Sequence, residues 1–586
     1  MKTIRIKYAV IIVVLLFGCK DQLDLEPLDS ISDENFWKSA NDFKLAANQF
    51  YTFERSFIDV VNNTNPENTP HHDNRADFAG EGNAWSRGQN TIPATDNVWN
   101  SNYSGNRPTG AWSRIRVINY LLNEAATYPR PEEIVVYVAE AKFFRAYVYF
   151  ELLQLYGGVP VIDKLYAIDS PELYGKRNTR DETADFIIAD LNAAIPDLPE
   201  VPNTDANYGR AGKSAARAFL SRVALFEGTW QKTMTNPNTT RANALLDMAI
   251  AASDAVISSG LYSLFQPPTL GDSAQKYMFI LENQKSNPAG IVKSANKEYI
   301  LANRYDQSIR QIRLDISRIG GGGGNKSYAD LFLCKDGLPV DKSPLFQGYA
   351  KMNSEFKNRD NRMKYTMKIP GGYYWKGYVN LARINWLGDA AEKAQADASP
   401  FLPNSGSGYG GQKWIAERSV PQSQEGYDYP VIRYAEVLLN YAEAVFERTG
   451  TISDADLDKS LNLVRLRVNK TMPKLSNSFA SLNGLDMQTE IRRERSIELN
   501  AEGFRIDDLK RWHIAVAVLT QPLLGIKWTG TEYVTKWPAA SSLPKDANGN
   551  IIVDASRSFS DKNYLLPIPS QQILLNPNLE QNPGWQ

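Results

Sequence analysis

Apolar residues recur at helical spacing in one segment after another of this 586-residue chain, and the period then mostly disappears between Gln266 and about Tyr427. In Asp33–Phe53 the residues Phe36, Trp37, Phe43, Ala47 and Phe50 fall at helical spacing behind a cap at Ser32 or Asp33. Ile115, Ile118, Leu122 and Ala125 share a face within Trp112–Ala126. Pro131-Glu132-Glu133 opens a long helix that runs to Tyr156, where Gly157-Gly158 and Pro160 close it. Further helices are predicted over Thr183–Ile195, Lys213–Glu227 and Ala242–Ser258. After the aperiodic stretch they resume over Tyr434–Glu447, Asp454–Asn469, Met487–Ala501 and Asp508–Val518. Small residues such as Ala139, Ala146, Ala216 and Ala249 let neighbouring helices approach closely. Paired helices with small and aromatic residues at recurring offsets point to tetratricopeptide-like stacking, without a period clean enough to count repeats.

The interruptions have a composition of their own. Asn62–Pro108 is rich in Asn, Gly, Pro and Asp, and the central stretch holds Gly320–Gly324, Pro370-Gly-Gly-Tyr-Tyr-Trp375 and a Gly-rich run after Pro403. A structureless loop of that length does not suit a compact protein, so the stretch must contain strands and short helices. The fold class is therefore mainly α: a helical scaffold mainly over 33–260 and 428–520, a loop-rich insertion over about 266–427, and an extended, Pro-punctuated segment over 521–586. A scaffold split around an insertion argues for one unit over 33–586 rather than domains in series.

The N-terminus carries a different message. Lys2, Arg5 and Lys7 precede an unbroken apolar run, Ala9–Phe17. As a helix that run would span roughly 14 Å, less than half of a ~30 Å hydrocarbon core, so it has the length of a secretory signal and not of a membrane span. It ends at Leu16-Phe17-Gly18-Cys19, a small residue followed by cysteine, as at a bacterial lipoprotein processing site. On that reading 1–18 is a signal peptide, Cys19 becomes the lipidated N-terminus, and 19–32 is a polar tether. The alternatives are an ordinary signal or a short buried helix.

Composition narrows the chemistry. Basic and acidic residues balance at 65 against 66 with no long basic tract, which argues against nucleic acid as a partner. After Cys19 the only other cysteine is Cys334, so no intrachain disulfide is expected in the mature protein. Three histidines leave few places for a His-centred catalytic triad. Adjacent His71 and His72 in a polar loop are not expected to hold a metal, and no cofactor is implied. Gly320–Gly324 lacks the Gly-Lys-Ser/Thr ending of a phosphate loop and reads as a hinge or a close backbone approach. Glu494, Glu498 and Glu502 share a helical face beside Arg492, Arg493 and Arg495, which favours ion pairs over paired catalytic carboxylates. Arg433 with Glu436 and Arg145 with Glu140 read the same way.

An ordered series of motifs runs through the chain. It comprises Cys19 with Leu23-Asp24 and Pro27, Asn35-Phe36-Trp37, Ala139-Glu140-Ala141 through Arg145 to Tyr156-Gly-Gly-Val-Pro160, and Arg359-Asp360-Asn361-Arg362. Pro430-Val-Ile-Arg433 through Glu436 to Glu443 follows, then Glu494-Arg495-Ser-Ile-Glu498-Leu, Glu502-Gly503-Phe-Arg505, Pro567-Ile-Pro569 and Gln581-Asn-Pro-Gly. With this series the chain resembles, over essentially its full length, the SusD/RagB family of Bacteroidetes outer-membrane nutrient-binding lipoproteins. The resemblance implies tetratricopeptide-like units under a loop-rich ligand face. It also implies an outer-membrane, cell-surface location and a SusC-like TonB-dependent transporter as partner.

A sugar offers an apolar C–H face and a rim of hydroxyls, so capture calls for flat aromatic platforms beside polar side chains. Two loop regions supply that mixture, His71–Arg87 and the pieces Asn303-Arg304-Tyr305 and Gly372–Lys376 of the insertion. Trp85 and Trp375, with Tyr305 and Tyr374, are the expected platforms; Asp73, Asn74, Arg75 and Asp77 are the expected polar rim. Trp112 and Trp414 read as core, and Trp99 is undecided. Three functions follow for testing: an oligosaccharide-binding lipoprotein that does no chemistry, the same architecture binding peptides or another nutrient, and a surface glycoside hydrolase.

Overall fold

The computed structural model describes residues 36–60, 71–78, 82–200, 209–314, 316, 323–369, 373–376, 380–383, 406–418, 421 and 423–585. The expected signal peptide, Cys19 and the tether lie outside the described residues.

Helix α1 (Ala40–Phe50) is capped by Ser39, whose backbone N–H and hydroxyl donate to Asp42 at 2.8 and 2.9 Å. Upstream, Trp37 takes a left-handed φ of 64°, which keeps the helix from starting as early as its apolar spacing predicts. Next come α2 (Ala111–Ala125) and the long α3 (Pro131–Tyr156). Proline in the first turn of α3 loses no intrahelical hydrogen bond, and Gly157 at φ 75° follows its last residue. Most of α3 from Ala139 to Tyr156 is buried on every side, because α1, α2 and α4 (Arg180–Ala194) surround it. Thr179 and Glu182 close a reciprocal capping box at the start of α4.

Helices α5 (Lys213–Thr233) and α6 (Thr239–Ser258) form the next antiparallel pair. They approach so closely at Gly228 that a Cβ there would lie 3.0 Å from Leu246 Cγ. Helix α7 (Tyr434–Thr449) packs on both, and α8 (Met487–Glu498) packs on α7. The expected mainly α scaffold of paired helices is thus present. Two predicted helices are each broken in two. Asp454–Asn469 divides at Ser460 (φ −135°, ψ −96°), and the stretch through Asp508–Val518 divides at His513 (φ 54°).

The insertion contains the strands its length requires. Tyr299–Asn303 pairs antiparallel with Tyr429–Arg433, with Asn303 opposite Tyr429, so the two ends of the insertion are tied together. Gly323–Gly324 pairs with Tyr409–Gly410, and a Cβ on Gly324 would lie 3.1 Å from that of Tyr409: the glycine serves a close backbone approach. The C-terminal segment is less extended than its prolines imply. It holds an antiparallel pair, Leu523–Lys527 with Asn550–Asp554, and a short helix, Ser570–Leu575. Tyr328, Phe332, Met367 and Tyr409 of the insertion share a smaller core with Ile526, Trp537 and Ile551 of that segment. Among the described residues no helix is long and apolar enough to cross a membrane.

A buried ion-pair network joins these parts. Arg433 Nη1 lies 2.9 Å from Glu298 and 2.8 Å from Glu498, and its Nε lies 2.7 Å from Glu502. Arg467 bridges the same Glu298 and Glu498. Arg362 reaches Glu498 at 3.1 Å, Glu494 at 2.5 Å and Asp360 at 2.6 Å. The three glutamates of α8 and its extension are ion-paired as expected, but with arginines distant in sequence. Likewise Arg145 pairs with Asp190, Glu140 with Arg210, and Glu436 with Arg222. The surrounding guanidiniums hold the Glu498 carboxyl far below the usual range despite its burial. Glu498→Gln leaves Arg433 and Arg467 short of charge in the interior and is expected to lower stability by about 3–5 kcal/mol, read from the urea midpoint. A loss under about 1 kcal/mol would show that the network is dispensable.

Candidate functional site

A cleft of about 610 Å³ opens where the end of α1, the start of α2 and the insertion meet. It lies within the size range of small-ligand sites, roughly 300–1,000 Å³. Thr52, Phe53, Glu54, Ser56 and Asp59 form one wall, Arg107, Thr109 and Arg114 a second, and Asn303, Tyr305 and 309–314 a third. Glu151 of α3 and His71 also line it. Tyr305 follows the strand Tyr299–Asn303 directly. Its N–H donates to Asp428 at 2.9 Å, and its carbonyl accepts from Lys293 at 2.5 Å. Its ring is half-buried, packed on Phe57 at 5.8 Å between centroids, with the Arg310 guanidinium 4.7 Å from the ring centre.

Several polar atoms in these walls have no hydrogen-bond partner among the described residues: Glu54 Oε1, Asn303 Oδ1 and Arg114 Nε. Glu54 and Asn303 are only 5% and 4% exposed. Buried polar groups are normally satisfied, and at a cleft the missing bonds can be supplied by water or by a ligand. Burial raises the Glu54 carboxyl to about 8, against the opposing pull of Arg310. Burial likewise raises Glu151 to about 7, although Arg114 and Arg55 oppose it. His71 is pushed well below the usual imidazole range by burial first and then by Arg55 and Lys510, so it is neutral. Near neutral pH Glu54 therefore offers a protonated carboxyl, a donor as well as an acceptor.

The family model described as the SusD family matches residues 291–585. A second, described as starch-binding and associating with the outer membrane, matches residues 27–225. The chain belongs to the SusD family. It is 24% identical over 470 residues to a SusD-like protein of Bacteroides ovatus, covering 76% of this chain and 74% of that one. It is 24% identical over 595 residues to SusD-like protein P2 of Formosa agariphila, covering 100% of each chain. Among solved structures it is similar to a SusD-like carbohydrate binding protein from Bacteroides fragilis, with TM-score 0.68, 24% identity and coverage of 93% of this chain and 100% of that one. A second SusD-like protein from the same organism also gives a TM-score of 0.68 at 24% identity, covering 95% and 100%. The cleft draws its walls from both matched spans of the SusD-family chain.

The structure separates the expected site residues. Tyr305 is in the cleft. Trp85 is not a platform: it is 3% exposed, its Nε1 donates to the Asn563 carbonyl at 3.2 Å, and its ring packs edge-on to Phe559 with Arg75 over it at 5.3 Å. Asp73 is not a rim residue. It accepts the N–H groups of Glu502, Gly503 and Arg505 at 3.1, 3.0 and 3.2 Å, and burial lifts its carboxyl to about 6. Asp77 receives both arms of Arg505 at 2.8 Å, and Arg75 is buried. The loop sequence supplies the polar groups a sugar would need, but the chain after α8 uses them first. Asn74 lies in the 3₁₀ turn Asp73–Arg75, and Tyr374 and Trp375 lie in the strand Tyr373–Lys376 paired with Asn380–Arg383; the side chains of all three are outside the described residues. Trp112 is half-buried, while Trp99 and Trp414 are 2% and 1% exposed.

The sequence reading missed Glu54, Arg107, Arg114, Glu151, Arg310 and Arg313. Two signals were available. Glu151 is the lone carboxylate in the apolar run Ala146–Leu155, and Gln307–Leu314 carries two arginines and no acid in an aperiodic stretch.

Two outcomes follow. Trp85→Ala is expected to cost about 3–5 kcal/mol in unfolding free energy, measured by denaturant titration, because it empties a packed site. Glu54 stays protonated in the folded protein up to about pH 8 but ionises near 4.5 when unfolded, so the unfolded chain binds fewer protons between those values. The stability it contributes is fully present below the lower value and is lost as pH rises through the upper one. Glu54→Gln cannot ionise, so its stability relative to the parent should rise steadily from about pH 5 to about pH 9 in thermal unfolding.

Proposed function

We propose that this SusD-family protein captures an oligosaccharide in the cleft at Tyr305 and passes it, untransformed, to a SusC-like TonB-dependent transporter. In the same proposal it is held at the surface of the outer membrane through lipidated Cys19. The observation that carries the reading is a half-exposed aromatic ring standing beside unsatisfied donors and acceptors on Glu54, Asn303 and Arg114. A pyranose lays its C–H face on such a ring and exchanges paired hydrogen bonds with such a rim. Family membership supports the ligand class, and the apolar run ending at Gly18-Cys19 supports the anchor. Tyr374 and Trp375 belong to the proposal as further ligand contacts from the insertion.

A second reading has one observation in its favour. Glu54 and Glu151 both have raised carboxyl pKa values in one cleft, as general acids of glycosidases do. Glu151, however, already faces Arg114 at 3.6 Å and Arg55 at 3.9 Å, an arrangement suited to holding charge in place.

Incubation of the protein with a glycan panel separates the readings. Binding without product supports capture, release of shortened products supports hydrolysis, and binding of peptides but no glycan overturns the ligand class. Tyr305→Ala is expected to weaken oligosaccharide binding by about tenfold, as loss of an aromatic platform does. Cys19→Ser is expected to abolish acylation and release the protein from the membrane fraction; retention with the outer membrane would contradict the anchor.

A further inference from the structure

Three cations of the cleft are placed differently from the arginines of the interior. Arg433, Arg362, Arg495 and Arg511 are buried against carboxylates. Arg107, Arg310 and Arg313 are exposed along the cleft and form no ion pair among the described residues. Two of them are fixed by neutral groups: Arg107 Nη2 donates to the Thr52 carbonyl at 3.2 Å, and Arg310 Nη1 to the Arg304 carbonyl at 2.6 Å. A carbonyl orients a guanidinium without cancelling its charge.

Among the described residues the acids of the same cleft only partly balance them. Asp59, held by the Ser56 N–H and hydroxyl at 2.8 Å each, sets one negative charge against three positive, and Glu151 is matched by Arg114 and Arg55. Glu54 is buried and protonated near neutral pH. The surplus is local, since the whole chain carries a formal charge of only −1. A concave site lined by one sign of charge concentrates field and draws in ligands of the other sign. Guanidinium matches the planar pair of oxygens of a carboxylate and the oxygens of a sulfate ester.

We propose that the cleft selects an acidic oligosaccharide, one bearing carboxylate or sulfate groups, with Arg310 and Arg313 receiving its charge while Tyr305 supports a sugar ring. This rests on the reading of the cleft as the glycan site. The sugar's hydroxyls complete Glu54 and Asn303, and Arg107 faces a further acidic group across the opening.

The test is calorimetric titration of the full chain, purified in detergent, with two matched pairs of probes. The first pair is an oligogalacturonate and its carboxyl-reduced neutral form; the second is a sulfated galactan oligosaccharide and its desulfated form. The expected result is that the acidic member of at least one pair binds about tenfold or more tightly than its neutral counterpart. That preference should shrink at high salt and in the Arg310→Gln/Arg313→Gln double variant. A preference within the first pair alone assigns carboxylate; within the second alone, sulfate. Equal or tighter binding of the neutral members overturns the proposal and leaves the glycan site intact. No binding by any member overturns both. Unchanged preference in a double variant with the parent's thermal midpoint overturns the role of the two arginines.

Discussion

The arrangement of this chain depends on a few guanidiniums buried among carboxylates from distant parts of the sequence. Arg433 ends one strand of the pair that closes the insertion, Glu298 precedes the other, and Glu498 and Glu502 come from the end of α8 and just beyond it. Removing such charges from water is costly, and only near-complete pairing offsets it. A shifted register would leave a charge unpaired in the interior, so the network favours one register for Tyr299–Asn303 against Tyr429–Arg433. That register sets where the strand ends, and its end is Asn303 with Tyr305 just beyond. Asp428, one residue before the partner strand, then fixes the Tyr305 backbone, Lys293 and Arg304. The ion pairs of the interior thereby position the aromatic ring of the cleft.

The same physics separates the two polar regions that resemble binding surfaces. In residues 72–78 the two carboxylates are taken up by the chain itself: Asp73 caps the turn after α8, and Asp77 clamps Arg505. In the cleft, Glu54, Asn303 and Arg114 retain atoms without hydrogen-bond partners, and Arg107, Arg310 and Arg313 form no ion pair among the described residues. A carboxylate already bonded by the chain serves the fold, whatever the polarity of its loop.

The helical scaffold was legible because helix faces repeat locally: of the predicted face of α2, Ile115 and Ile118 are almost fully buried, while Leu122 and Ala125 are half-buried and Leu121 takes the interior place. The family was legible in the spacing of short motifs such as Glu494-Arg495 and Glu502-Gly503. Breaks at Ser460 and His513 were not, since they reflect tertiary packing that overrides helical period. Ion pairing was legible in kind but not in partner, because Glu498 selects Arg467 and Arg433 and passes over the arginines beside it. Of the expected ligand residues whose side chains are described, Tyr305 lies in the cleft and Trp85, Asp73, Arg75 and Asp77 are interior. Composition identifies polar and aromatic loops; only the fold shows which are already occupied by the chain itself.

The central claim is that ligand enters the cleft at Tyr305 and does not touch the loop around Trp85. Amide hydrogen exchange with and without a saturating oligosaccharide tests it directly, since exchange reports local opening segment by segment. The account predicts added protection at residues 52–59, 107–114 and 303–314, with 72–78 and 82–88 unchanged. Protection centred on 82–88, with the cleft segments exchanging as before, would contradict it.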